Sequence, residues 1–155
     1  MNLAVLKTSR RRPKVGDIFA MLPPGGLYLY GRVIVTDANP LGVRGANLIY
    51  IYRPRSKEIN IVPQLLRGQL LLPPMITNNL PWSRGYFQFI ENRALVPMDC
   101  LQQHCFKDSR GWFFDEYRNR LPGPIEPVGD WGLHSYRTID NAISKALGIP
   151  LAPDD

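Results

Sequence analysis

Leu27-Tyr28-Leu29-Tyr30-Gly31-Arg32-Val33-Ile34-Val35-Thr36 alternates with a period of two, placing Leu27, Leu29, Val33 and Val35 on one face and Tyr28, Tyr30, Arg32 and Thr36 on the other. A strand of this kind needs neighbours, and the flanking sequence supplies them. Upstream, Val15 to Met21 reads as a first strand. Between the two, Pro23, Pro24, Gly25 and Gly26 offer the fixed and permissive backbone angles of a tight reversal, which predicts a hairpin. Downstream, Asn39, Pro40 and Gly42 mark a loop, and Asn47 to Arg53 repeats the pattern, with Ile49 and Ile51 alternating against Tyr50 and Tyr52. Pro54, which has no N–H for a ladder, is expected to end that strand.

Farther along, 15 prolines and 13 glycines leave little room for long helices. Glu58 to Leu72 fits neither period cleanly and predicts a short helical or irregular turn. Tyr86 to Glu91 returns to alternation through Phe87 and Phe89, and Gly111 to Tyr117 reads as an aromatic strand through Trp112, Phe113 and Phe114. Leu121 to Gly132 holds Pro122, Pro124 and Pro127 among Gly123, Gly129 and Gly132, and is expected to be an extended loop without a ladder of its own. Ile139, Ala142, Ile143, Ala146 and Leu147 then form one apolar helical stripe, with Thr138 as the expected cap and Gly148 and Pro150 as the stop. The fold class that follows is α+β: a twisted antiparallel sheet or partly open barrel packed by a C-terminal amphipathic helix.

At 155 residues, 45% of them hydrophobic and 21% charged, the chain suits a single domain spanning 1–155, with a basic arm at 7–14. Only Cys100 and Cys105 occur, too few for a disulfide scaffold, so reduced thiols in a cytoplasmic protein are expected. Met1 to Leu6 is apolar and precedes Lys7 and Arg10 to Arg12, the reverse of a secretory signal. Leu70 to Leu80 is uncharged but broken by Pro73 and Pro74 and is too short to span a bilayer, so no membrane partner is expected. The net charge of +6 favours anionic partners, although part of it sits in the N-terminal run.

Catalysis needs particular groups at particular separations, and the familiar arrangements are missing. Gly25 and Gly26 lie in a turn, with no lysine-serine pair and no helix after them to cradle phosphate. Cys100, His104 and Cys105 offer three ligands with no nearby fourth, so no metal site is expected, and buried thiols describe the cysteines better than nucleophiles. Ser135 beside His134 lacks the sharp turn that holds a nucleophilic serine. Asp115 and Glu116, on a strand, would project from opposite faces and pair with Arg118 or Arg120 in solvent. Neither cofactor nor enzymatic activity is expected. Tyr28, Tyr30 and Arg32, with Tyr50 and Tyr52, describe equally a stacking platform for single-stranded nucleic acid and the half-exposed face of an ordinary sheet.

Lys14-Val15-Gly16-Asp17-Ile18-Phe19-Ala20, followed after a turn by Leu29-Tyr30-Gly31-Arg32-Val33-Ile34, resembles the opening of the Immunity protein 26 family of bacterial polymorphic-toxin systems. The resemblance continues more loosely through Trp82 to Phe89 and Val128 to Leu147. It implies a protein that binds a cognate toxin and neutralises it, without catalytic residues of its own. Gly16-Asp17-Ile18 before an alternating strand also resembles the start of Kid and PemK endoribonuclease toxins. Those carry an Arg-Pro step where Arg32 is here followed by Val33. A basic nucleic-acid-binding β module is the other alternative.

A toxin-binding surface needs a few aromatic or arginine anchors within a polar rim. Trp82, Trp112, Tyr117, Arg118, Trp131 and Tyr136 are the candidates, with Asp115, Glu116 and Asp130 as a local acidic patch. Solvent exposure decides between anchor and core.

Overall fold

The computed structural model describes residues 1–42 and 45–154. The alternating segment and its upstream neighbour form the expected hairpin, β1 (Asp17–Met21) with β2 (Tyr28–Ala38), and β2 pairs in turn with β3 (Ala46–Ser56). β4 (Met75–Thr77) adds to the far side of β3. The four-residue helix α1 (Leu80–Ser83) leads into β5 (Gln88–Asn92), which returns to pair with β1. The five strands lie in the order β4-β3-β2-β1-β5. β3 does not stop at Pro54. The register between β2 and β3 shifts between the Leu29↔Arg55 and Gly31↔Ile51 pairs, and the proline falls inside that irregularity, where a missing N–H breaks no regular rung.

A second sheet follows, built from β6 (Cys105–Lys107), β7 (Phe113–Phe114), β8 (Arg120–Leu121) and β9 (Val128–Asp130) in the order β8-β7-β6-β9. β9 overturns the expectation of a ladderless 121–132 loop. Its three residues lie beyond Pro127, so each keeps its N–H, and they pair with β6 in parallel through Cys105↔Val128, Phe106↔Gly129 and Lys107↔Asp130. The aromatic strand is shorter than expected, because Asp115 turns the chain: its Oδ1 accepts the backbone N–H groups of Tyr117 and Asn119.

α2 (Tyr136–Leu147) starts one turn earlier than the sequence suggests. Ser135, not Thr138, is the cap, and its side chain accepts the Thr138 N–H. Gly148 closes the helix at φ 69° as expected. The stripe docks through Ile139 and Ile143 onto the face of the large sheet that carries Phe19, Met21, Leu29, Val33, Ile49 and Ile51. The N-terminal segment, which includes the basic arm at 7–14, is tied down along its length. The Asn2 and Leu3 N–H groups donate to the buried Asp140 carboxylate on α2, Leu6 and Ser9 donate to the carbonyls of Gly85 and Trp82, and the Arg11 guanidinium lies 3.8 Å above the Phe89 ring.

The small sheet and the connections around it cover the opposite face of the large one. Tyr30, Tyr50 and Tyr52 are therefore fully buried there with Ile18, Ile34, Leu48, Ile76 and Phe106. Both faces of the large sheet are interior, and the chain is α+β with two open sheets rather than a barrel.

Candidate interaction surface

Of the tyrosine platform that suggested nucleic-acid stacking, Tyr30, Tyr50 and Tyr52 are buried and Tyr28 is half-buried. Tyr30 donates its hydroxyl to the carbonyls of Glu58 and Ile59. Arg32, 5% exposed, donates to the Arg93 carbonyl at 2.7 Å and stands 3.5 Å from Asp99. The period of two holds along these strands, but whether a second layer covers the tyrosine face depends on later segments, residues 58–65 over Tyr30 and residues 101–104 over Tyr50.

Tyr50 enters a chain of short hydrogen bonds. Its hydroxyl accepts the Leu101 N–H at 2.9 Å and lies 2.6 Å from His104 Nε2, while His104 Nδ1 lies 2.6 Å from Glu116 Oε2. The Leu101 N–H fills one acceptor position of the tyrosine oxygen, and the imidazole bridges that hydroxyl through Nε2 and the carboxylate through Nδ1. Tyr50 is fully buried, His104 is 8% exposed and the Glu116 side chain 12%, so the three groups are packed into the interior. Burial raises the Tyr50 phenol well above its ordinary range. What the chain does is mechanical: it ties the turn after β7 to the middle of β3. Glu116 thus does not pair with Arg118 or Arg120 in solvent, and it shares no strand with Asp115.

Cys100 and Cys105 are free thiols, the second buried, and burial pushes the Cys100 thiol up, with the Asp99 charge adding to it. Among the described residues no three His, Cys, Asp or Glu side chains gather as a metal cluster.

The nine candidate residues separate by environment. Trp82 is core: it is fully buried, edge-on to Phe19 and Phe87 with centroids 5.2 and 5.1 Å away, and offers no face to a partner. Tyr136 is half-buried at the start of α2 against Tyr86, on the helix-covered side of the large sheet. Trp131 is half-buried and lies against Phe114 at 4.8 Å, so most of it is a packing residue of the small sheet. Asp130 is exposed at the end of β9, opposite Lys107 in register.

The remaining candidates come together at the outer end of the small sheet. Directly paired residues share a face, which makes Phe106, Phe114 and Arg120 one row across β6, β7 and β8, with Trp112 two positions from Phe114 on the same face. The row starts buried at Phe106, is half-buried at Phe114 and ends exposed at Trp112 and Arg120. Trp112 is 39% exposed, and the guanidinium carbons of Arg110 and Arg120 each lie 3.7 Å from its ring. Tyr117 and Arg118 project from the adjoining turn. Arg118 has φ 69°, a backbone conformation costly to a residue with a Cβ and held here by the turn around Asp115. Neither Arg110 nor Arg120 stands out in the sequence, because Arg110, two residues from Trp112, reads as an ordinary exposed charge and Arg120, eight residues away, reaches the indole only through the turn between β7 and β8.

Tyr117, 44% exposed, donates its hydroxyl to Asp37 Oδ1 at 3.0 Å. Burial, that hydrogen bond and the neighbouring charges of Asp37, Glu116 and Asp115 raise its phenol to about 12 from 10.0. A phenol whose folded pKa exceeds its unfolded one contributes stability that is complete below pH 10 and lost as pH rises toward 12. Ultraviolet titration should show one tyrosine ionising near pH 12, and Tyr117→Phe should remove that step and flatten the alkaline fall in stability.

The model of the family described as Immunity protein 26 matches residues 14–109, more than half of the chain. The chain belongs to the Immunity protein 26 family. No curated protein and no solved structure matches it. The family match takes in the hairpin motif, the whole large sheet and β6, and it ends three residues before Trp112. Within it, Gly31 pairs with Phe19 across the hairpin and Arg32 ties β2 to the Arg93 carbonyl, so these motif residues serve packing. As a family of immunity proteins of toxin systems, Immunity protein 26 points to a protein toxin as the class of partner. Among the described residues, no helix is long and apolar enough to cross a membrane.

Proposed function

We propose that this protein neutralises a cognate toxin in the cytoplasm of the cell that carries it, by direct binding and without chemistry of its own, and that it docks through the outer end of the small sheet. The carrying observation is the Trp112 indole, exposed and clamped between two guanidinium groups. Binding energy concentrates in Trp, Tyr and Arg anchors whose ordering cost is met before the partner arrives, and Trp112, Tyr117, Arg118 and Arg120 have that composition. Asp115 and Glu116 serve the same surface from beneath by fixing the turn that carries Tyr117 and Arg118. Trp131 backs it through Phe114. The patch lies outside the family-matched segment, which suits a surface that must differ from one toxin-immunity pair to the next if cross-recognition is to be avoided.

The test is titration of the purified chain against the toxin domain encoded beside it, with growth rescue on co-expression. Trp112→Ala should weaken binding by about 2 kcal/mol, some thirtyfold, because the indole is a central anchor. The circular dichroism spectrum should not change. Full affinity in that variant would dismiss this surface, and a toxin whose activity the wild-type chain leaves untouched would dismiss the function.

A further inference from the structure

The two guanidinium groups around Trp112 are chemically unequal. Asp108 takes up Arg110, whose Nε and NH2 stand 2.9 and 2.8 Å from Oδ2, and so balances its charge. The Arg120 guanidinium has no hydrogen bond or ion pair among the described residues, although its central carbon stands 3.7 Å from the indole centroid. All five guanidinium N–H groups lie in the plane of the group. Stacking on the ring sets that plane and leaves the donor edge as a two-pronged fork with little orientational freedom left to lose.

The charges around the fork point the same way. Arg118, on the adjoining turn, is exposed. The nearby acids are engaged elsewhere: Asp108 with Arg110, Asp115 with the turn N–H groups, Glu116 with His104 and Asp37 with the Tyr117 hydroxyl. Resting on the toxin-binding reading above, we propose that Arg120, on its Trp112 platform, is a receptor for an Asp or Glu carboxylate on the toxin, so that the toxin's contact face is acidic at its centre.

A phosphate would fit the same fork. Two observations favour a protein carboxylate. Asp130 and Glu126 are exposed at the far edge of the small sheet, on β9 and the connection leading to it, so acids bound the patch on that side and a protein of mixed charge matches it more readily than a continuous line of phosphates. Trp112 and Tyr117 also place large half-exposed aromatics beside the fork, the mixture found at the centres of protein interfaces.

The experiment titrates wild type, Arg120→Lys and Arg120→Glu against the neighbouring toxin domain and, separately, against a single-stranded RNA oligonucleotide. Arg120 is exposed, so the variants should keep the wild-type melting temperature. Arg120→Lys keeps the charge and loses the fork, and should weaken toxin binding about tenfold. Arg120→Glu should weaken it about a hundredfold and be partly rescued by reversing one acidic residue on the toxin. Wild-type affinity in Arg120→Lys, or no toxin variant that rescues Arg120→Glu, would overturn the carboxylate assignment while leaving toxin binding intact. RNA binding that is tighter than toxin binding and depends on Arg120 would replace it with a phosphate site. Failure of the wild-type chain to bind the toxin would remove both this proposal and the reading beneath it.

Discussion

Trp82→Ala should cost about 4 kcal/mol of folding stability, the upper part of the range for truncating a buried aromatic. Most domains of this size are stable by only some 5–15 kcal/mol, so urea denaturation should show the midpoint falling by about a quarter or more. The reason is location. Trp82 is fully buried on the helix-covered face of the large sheet, edge-on to Phe19 and Phe87 and stacked with Phe89 at 5.7 Å. Its removal strips neighbours from three rings at once, and those rings are held by β1 and β5 and have little freedom to collapse into the void. Trp82→Phe separates packing from polarity. The indole Nε1 is buried without a hydrogen-bond partner among the described residues, so exchange for phenylalanine also discards an unsatisfied donor, and the loss should stay near 1–2 kcal/mol. A loss equal to that of alanine would mean that the indole N–H has a partner in solution.

Gly31→Ala should be nearly as damaging, at about 3 kcal/mol, for the opposite reason. Gly31 lies opposite Phe19 in the β1–β2 register, and a methyl group there would overlap the Phe19 ring and come 2.8 Å from the Tyr50 carbonyl oxygen of β3. Neither can retreat: the carbonyl belongs to the ladder, and the Phe19 ring is stacked on Phe87 with centroids 4.4 Å apart and closed off by Trp82. The two substitutions should therefore couple. In the Gly31→Ala/Trp82→Ala double variant the cavity left by the indole gives Phe19 room to move off the new methyl group, and the combined loss should fall short of the sum by about 1 kcal/mol. Strict additivity in a double-mutant cycle would show that the strain at Gly31 falls on the β3 backbone instead.

These residues also explain why the motif resembling the family was legible while its meaning was not. Gly16, Asp17, Phe19, Gly31 and Arg32 stand close together in sequence, and a pattern of local spacing carries them. Their work is the joining of β1, β2 and the segment after β5. Gly16 accepts the Arg93 N–H, Asp17 receives Lys14 N–H and the Asn92 amide, and Arg32 reaches the Arg93 carbonyl. The motif thus marks a framework, and its residues contribute nothing to the patch around Trp112.

The alternation of residues 27–36 and 47–53, the hairpin turn at Pro23 to Gly26, and the apolar stripe of α2 ended by Gly148 were all determined by sequence alone, because each depends on groups within a few residues of one another. Tertiary structure decided the rest. Whether Tyr30, Tyr50 and Tyr52 face solvent depends on the segments that cover them, residues 58–65 and the small sheet with its approach at 101–104, and Trp82 and Trp112, alike as residues, become core and surface according to which layer lies over each. The parallel pairing of β9, the Tyr50-His104-Glu116 relay and the stacking of Arg120 on Trp112 join partners that the path of the chain through the small sheet brings together, which no local period reveals. Local backbone geometry fixes which way a side chain leaves its own element, and only the stacking of layers fixes what it meets there.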